Sequence, residues 1–328
     1  MDTRVAPKVA IIVLNWNGWQ DTIECLESLR RITYPNYQVI VVDNGSADDS
    51  VERITTWAQD RFGLADTGTS APDWDIVMAS PEFTFMAAGE NLGFSGGNNL
   101  GIKYALFGPY PADFVFLLNN DARPEPACIT VCVEVAQKAD AGVVGAVIMS
   151  EKGKVLFAGS RFPRGLFMAD LMPLPHTADE YWRVDRVHGC AVLIRRDLLA
   201  RRKREYGYFL DPKLFMYCEE TEFCVCAREW GYEVFLAKNA VVHHNVAGSS
   251  GKGSPLSYYY LTRNRILLAK KLLPLWLRIL FHIWYVPSRL VRALQRRVEG
   301  KPLVSGAILE GLVDGYADVT GKWEKHIE

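Results

Sequence analysis

From residue 9 the chain alternates short unbroken apolar runs with stretches of helical periodicity. Val9-Ala-Ile-Ile-Val-Leu14 lacks polar alternation and predicts a strand buried on both faces. Ile23, Leu26 and Leu29 then share one face of a helix. Gln38 to Asp43 predicts a second strand stopped by the turn dipeptide Asn44-Gly45, with Ser46 or Asp48 capping a helix that carries Val51, Ile54 and Trp57. A third strand falls somewhere in Asp75 to Met86. Ser95 is placed to cap a glycine-rich helix leading to Ile102, Ala105 and Leu106, and Asp113 to Leu118 is a buried strand. Pro124 and Pro126 suit the first turn of the next helix, and Gly142 to Met149 is another strand. Strand and helix alternating in units of about 30 residues predict an α/β/α sandwich around a mostly parallel central sheet.

Gly153 to Arg186 shows no clean period, and Pro163, Gly165, Pro173 and Pro175 predict a long loop. Val187 to Ile194 resumes as a strand, Glu219 to Trp230 as a helix, and Val234 to Ala237 as a short extended piece. The character changes near residue 255, dividing the chain into an α/β region, 1–255, and a C-terminal amphipathic helical segment, 256–328. From Tyr258 to Lys301 ten basic residues stand against one acid, a charge of +9, interleaved with Leu272, Trp276, Leu280, Ile283 and Trp284. A basic helix pair with such apolar faces suits a membrane interface, residues 258–301 forming the contact; the alternative is a helix pair packed on the α/β region or on a second subunit, as in a homodimer.

Composition narrows the classes. With 328 residues, a formal charge of −1 and 49% hydrophobic content, this is an ordinary core former, which excludes collagen, disordered and strongly basic nucleic-acid-binding classes. Seven scattered cysteines, lacking the C-x-x-C pairs of a zinc site, fit a reducing cytoplasmic setting. The N-terminus does not have a signal peptide's architecture. The longest apolar region, Leu272 to Val286, is broken by Pro274, Arg278 and His282 and falls short of the roughly 20 residues of a membrane span. The expected location is the cytoplasm, peripheral on the membrane's cytoplasmic face.

In parallel sheets the ligand site lies beyond the carboxyl ends of the strands. Three polar clusters sit there: Asn15-Trp16-Asn17-Gly18, Asp43-Asn44-Gly45-Ser46 and Asn119-Asn120-Asp121. Any one alone reads as a turn or cap; three at one edge read as a site. Asp43 and Asn44 have the acceptors and donors to read a nucleobase edge, and Trp16 could pack on base or ribose. Asp121 is the candidate ligand for a hard divalent ion that also takes phosphate oxygens. Glu219-Glu220-Thr221-Glu222 opens a helix, where acids also serve the helix dipole, and three acids in four residues suit a catalytic rim. His243-His244 supplies a candidate second metal ligand. No G-x-x-x-x-G-K-[ST] loop is present, and Gly93-Phe-Ser-Gly96-Gly97 lacks the G-x-G-x-x-G order, which counts against phosphate-loop ATPases and typical dinucleotide dehydrogenases.

At these residues the sequence resembles the family 2 glycosyltransferases of GT-A fold, in particular the bacterial dTDP-rhamnosyltransferase-like subgroup. The matching pieces run in order: VAIIVLNWNG from residue 9, VVDNGSADDS from 41, ENLGFSGGNNLGI from 90, FVFLLNNDARP from 114, HGCAVLIRRDLL from 188, YFLDPKLFMYCEETEFCVCAREWGY from 208, HNVAGSSG from 244 and YYYLTRN from 258. The resemblance implies a nucleotide-sugar-binding part over about 1–125 and an acceptor-side part over about 126–255. It places base recognition on Asp43 and Asn44, with Leu14, Asn15 and Trp16 lining the pocket, and nucleotide contact on Asn91. The family's D-x-D motif falls on Asn119-Asn120-Asp121, so Asp121 binds Mg²⁺ or Mn²⁺, with His244 the later metal ligand. The E-D dipeptide falls on Glu219-Glu220, so the base is a glutamate, longer by one methylene than the usual aspartate.

The resemblance further implies an inverting transfer from a dTDP- or UDP-sugar, best dTDP-L-rhamnose, to a saccharide or polyprenyl-linked saccharide in cell-surface polysaccharide synthesis. The alternatives are a UDP-hexose donor, a catalytically silent sugar-nucleotide-binding subunit, and a nucleotidyltransferase releasing pyrophosphate.

Overall fold

A computed structural model of the chain describes residues 6–65, 69–71, 74–162, 170–175, 178–244 and 253–324. In chain order the elements are β1 Val9–Asn15, α1 Trp19–Leu29, β2 Tyr37–Asn44, α2 Ser50–Phe62, β3 Thr69–Ala71, β4 Trp74–Ala79, β5 Phe83–Ala88, α3 Gly93–Phe107, β6 Phe114–Asn119, β7 Ala122–Pro124 and α4 Cys128–Lys138. They continue as β8 Ala141–Met149, β9 Val155–Phe157, β10 Ser160–Arg161, β11 Asp170–Leu171, β12 Tyr181–Arg183, β13 Ala191–Arg195, α5 Arg196–Tyr206, α6 Glu219–Glu229, β14 Glu233–His244, α7 Pro255–Leu272, α8 Leu275–Val298 and α9 Pro302–Tyr316.

The unbroken apolar runs become the interior strands for the expected reason. Val9 to Val13 and Ile40 to Val42 are fully or almost fully buried because helices cover both faces of the sheet. The path is β12-β14-β8-β13-β6-β1-β2-β5-β4-β3, with β7 paired to β14 and β9 to β8. β5, β2, β1 and β6 run parallel, as do β8 and β14; β13 lies antiparallel between β6 and β8, β4 is antiparallel to both β5 and the edge strand β3, and β12 is the antiparallel edge at the other side. The GT-A-like α/β fold is therefore present, with a mixed sheet whose parallel stretch carries the first three polar tips.

Several local readings are corrected. The helix at the glycine run starts at Gly93, and Ser95 is buried inside it rather than capping it, because the Asn44 side chain holds the Leu92 N–H at the start. Pro124 ends strand β7 and Pro126 precedes α4, which begins only at Cys128. Ser46 bonds Asp43, while Asp48 accepts from the Ser50 N–H at the start of α2. The short piece at Val234 extends over twelve residues to His244, with a register shift between Ala237 and Val241 that lets Lys238 and Asn239 interrupt the apolar pattern. The predicted loop from 153 holds β9 to β12, with 163–169 and 176–177 outside the described residues. The C-terminal helix pair is three helices. Most of HNVAGSSG, residues 245–251, lies outside the described residues.

The first of these helices is not a surface element. Arg263 and Asn264 in α7 are fully buried. Arg263 donates to the carbonyls of Lys213, Leu214 and Gly321, and Asn264 to those of Leu214, Met216 and Tyr217. These bonds hold a segment with positive φ at Phe215, Tyr217 and Cys218, directly ahead of α6. Lys271 pairs with Asp211 and Glu222, Lys270 with Asp318, and Arg296 with Glu299. Several of the ten cations are thus committed to the protein's own acids or carbonyls. α8 remains as the amphipathic face, with Trp276, Ile279, Leu280, Ile283, Trp284, Leu290, Val291 and Leu294 exposed beside Arg292 and Arg297. Among the described residues no helix is long and apolar enough to cross a membrane.

Candidate active site

Register brings the strand tips together. Leu14 pairs with Asn119 and Asn15 with Asp43, so β1, β2 and β6 end at one edge. There the polar side chains bond one another. Asn15 Nδ2 donates to Asp43 Oδ1 at 2.7 Å, Ser46 Oγ donates to the same oxygen at 2.6 Å, and the Ser46 N–H donates to Asp43 Oδ2 at 3.0 Å. Thr22 ties α1 to this cluster through Asn15 Oδ1, and Asn120 Nδ2 reaches Thr22 and the Gly18 carbonyl. Asp43 is 1% exposed and Asn15 is fully buried, whereas Leu14 and Trp16 are half-buried at the rim.

Asn44 has a different place from the one the sequence suggested. Its amide is 3% exposed and commits both ends to the next loop, donating to Asn91 Oδ1 and the Gly93 carbonyl and accepting from the Leu92 N–H. Asn44 and Asn91 therefore shape the entry to α3 together. Gly93 is needed there: its φ is +71°, and a Cβ would stand 2.4 Å from the Phe215 carbonyl oxygen.

The metal-ligand candidates meet across 123 residues. β14 pairs antiparallel with β7, His244 opposite Ala122, and this sets His244 Nε2 2.9 Å from Asp121 Oδ1. Both side chains are 13% exposed. Burial and then the charge of Asp121 push the Cys190 thiol well above its ordinary range, and the same two causes, in that order, raise the carboxyl of Asp21. His243 instead faces Glu125, at 3.1 Å.

Glu219 and Glu220 open α6 but differ in surroundings. Glu219 is 4% exposed, and its Oε2 has no hydrogen-bond partner among the described residues. Burial, and next the charge of Glu220, push its carboxyl up to about 8, so it is neutral at pH 7. Glu220 is more open, and Arg186 Nη1 donates to its Oε1 at 2.6 Å. Glu222 is completely buried on Arg202, Nη2 to Oε2 at 2.7 Å, and serves the packing of α6 on α5.

Three residues escaped the sequence reading. Arg186 pairs with Glu220 and also donates through Nε to Ser160. His188 has its ring centroid 6.2 Å from that of His244, and its Nδ1 accepts the Cys190 N–H, which puts the proton of a neutral ring on Nε2. Arg265 projects from α7 into the cavity that Arg186, His188 and Glu220 also line. His188 stands in the HGC piece just ahead of a strand, a usable signal; nothing local marks Arg186 or Arg265. The edge therefore runs from Asp43 through Asp121 and His244 past His188 to Glu220, a carboxylate array suited to group transfer between two ligands.

Comparison with known proteins gives the chain a family. Over 97% of this chain and 94% of the relative, the sequence is 23% identical to the low-salt glycan biosynthesis hexosyltransferase Agl10 of Haloferax volcanii. The fold is shared with the mannosyltransferase PcManGT from Pyrobaculum calidifontis, solved in complex with GDP-Man and Mn²⁺, at a TM-score of 0.59 and 15% identity, covering 96% of this chain and 88% of that one. It is shared also with S. aureus TarS 1–349 in complex with UDP-GlcNAc, at a TM-score of 0.57 and 15% identity, covering 95% and 81%. Residues 10–202 match glycosyl transferase family 2, and the chain, a glycosyltransferase, belongs to that family.

Proposed function

We propose that this glycosyltransferase is inverting and metal-dependent, taking dTDP-L-rhamnose as donor and a hydroxyl of a saccharide or polyprenyl-linked saccharide as acceptor. The observation that carries the reading is the meeting of Asp121 and His244 at 2.9 Å, with His188 leading from them to the cavity of Glu220.

The two side chains fit a hard divalent cation such as Mg²⁺ or Mn²⁺. Asp121 and His244 would hold it through a carboxylate oxygen and an imidazole nitrogen that stand 2.9 Å apart. Two protein ligands would be enough for a hard ion that also takes a nucleotide's phosphate oxygens. Bound there, the ion supplies Lewis-acid stabilisation of the charge growing on the departing diphosphate.

The chain's own residues do the rest. Asp43, held by Asn15 and Ser46, is the base-reading carboxylate, with Leu14, Asn15 and Trp16 lining its pocket. Asn44, Asn91 and Asn120 fix the loops of the nucleotide side, and Asn119 stands on that side at the end of β6. Glu220 takes the proton of the acceptor hydroxyl while that oxygen forms the new bond to the anomeric carbon. The bond from that carbon to the phosphate oxygen breaks, and its electron pair leaves with the nucleoside diphosphate. Glu219, kept neutral, adds no second charge beside the base. The exposed face of α8 is the membrane contact, replacing the broader 258–301 of the sequence reading because α7 is packed inward.

A hexosyl donor is the second reading, favoured by the hexosyltransferase and mannosyltransferase relatives. The experiment is a panel of dTDP-rhamnose, UDP-glucose, UDP-galactose and GDP-mannose scored for slow nucleoside diphosphate release, which needs no acceptor. Fastest release from dTDP-rhamnose supports the primary reading, fastest release from a hexose donor supports the second, and binding of donors with no release or transfer marks a silent subunit.

A further inference from the structure

Beside Glu220 lies a cavity of about 260 Å³ lined by Phe162, Arg186, His188, Tyr217, Arg265 and residues of α6 and α7. Its charged walls do not balance. Arg186 and Arg265 bring two positive charges and Glu220 one negative. Arg186 is paired with that carboxylate, whereas Arg265 has no carboxylate within ion-pair distance among the described residues. The groups that act on Arg265 are the Tyr285 phenol, the Cys218 thiol and, more weakly, the Glu220 carboxylate that Arg186 already holds. Burial pushes the thiol up to about 12 and also raises the phenol, so neither ionises to serve as a counter-ion. Residues 163–169, which follow Phe162 in the chain, contain an arginine and no acid. Two guanidinium groups that share one carboxylate leave a positive charge uncompensated, and the planar fork of arginine matches an oxyanion.

Resting on the reading of Glu220 as the base, we propose that this cavity is the acceptor subsite and that it selects an acceptor carrying an oxyanion, a phosphoester or a uronate carboxylate, close to its attacking hydroxyl. Arg265 binds the oxyanion, and Arg186, paired with Glu220, lines the same cavity. The remaining walls suit the carbon body of one sugar. Leu261 and Leu268 lie on the same face of α7 as Arg265, and Phe162 and Tyr217 add aromatic surface. The volume lies below the roughly 300–1,000 Å³ of drug-sized pockets, room for a single sugar-sized group. In this reading the donor's diphosphate is seated at Asp121 and His244, next to His188, and the oxyanion at Arg265 belongs to the acceptor.

The test is ligand-observed NMR on the full chain with methyl phosphate, methyl glucuronide and neutral methyl glucoside. At least one of the two anions binds the wild type at least tenfold more tightly than the glucoside, and it keeps binding when saturating UDP and Mn²⁺ fill the donor site. Whichever anion binds more tightly names the source. Arg265→Ala weakens that binding at least tenfold and Arg265→Lys restores most of it, with circular dichroism reporting the fold. Equal binding of the glucoside, displacement by UDP and Mn²⁺, or indifference to Arg265 overturns the proposal. The wild-type comparison stands even if Arg265→Ala fails to fold. No turnover is read, so failure here leaves the donor-release panel intact, and failure of that panel leaves this binding result intact.

Discussion

Arg186 Nη1 lies 2.6 Å from Glu220 Oε1, a charge-assisted bond that fixes the carboxylate by one oxygen and leaves the other for a substrate. If Glu220 is the base, Glu220→Gln keeps the shape and removes proton acceptance. Turnover then falls by about 10² to 10⁴, with nucleotide affinity unchanged. Glu220→Asp withdraws the carboxylate by about 1 Å from a site built around glutamate and costs roughly 100-fold. Steady-state kinetics beside a nucleotide-binding isotherm checks both; undiminished turnover in Glu220→Gln removes the residue from the role.

Glu219 makes a prediction about stability. Its carboxyl has an ordinary value of 4.5 and is raised to about 8 by burial and by Glu220. Between these values the folded chain holds a proton that the unfolded chain has released. The stability from this group is therefore full below about pH 4.5 and is lost as pH rises through about 8. Glu219→Gln cannot ionise, so urea midpoints at pH 5.5 and 8.5 should differ less for the variant than for the wild type. An identical pH dependence would show that Glu219 is not the buried neutral acid described.

Asn264 joins α7 to the segment ahead of α6 through three carbonyls, at 2.8 to 2.9 Å. Asn264→Ala strands these carbonyls in the interior and costs about 2–4 kcal/mol by denaturant titration. Turnover falls with it, because Phe215, Tyr217 and Cys218 no longer have their left-handed backbone fixed. A stability loss below about 0.5 kcal/mol would mean the contact is dispensable.

The face of α8 predicts membrane recruitment. Trp276 and Ile283, 63% and 67% exposed, share that face, and Arg292 and Arg297 come after it in the chain. The full chain should float with phosphatidylglycerol vesicles at low salt and less at high salt, at about 1 kcal/mol per engaged basic residue. A Trp276→Glu, Ile283→Glu double variant should stay in the pellet fraction. Flotation unaffected by salt and substitution would assign the face to protein packing.

What the sequence made legible was the local part. Apolar runs of five or six residues ending in Asn, Asp and Gly can be strands and tips only if both faces are covered, and Asn15, Asp43 and Asn119 stand where that logic puts them. What escaped depends on partners distant in the chain. Arg263 reads as a surface cation, yet its partners are carbonyls about 50 residues earlier. Asn44 reads as a base-edge amide, yet its bonds close the loop at Asn91 to Gly93. Arg265 acquires meaning only through a cavity assembled from four separate segments.

The account depends most on Asp121, and calorimetric titration with UDP and dTDP, with and without Mn²⁺, tests it. Wild-type protein should bind nucleotide at least tenfold more tightly with Mn²⁺, and Asp121→Asn should lose that gain while keeping the metal-free affinity. A variant that retains the full Mn²⁺ effect would contradict the assignment of the cation to Asp121 and His244.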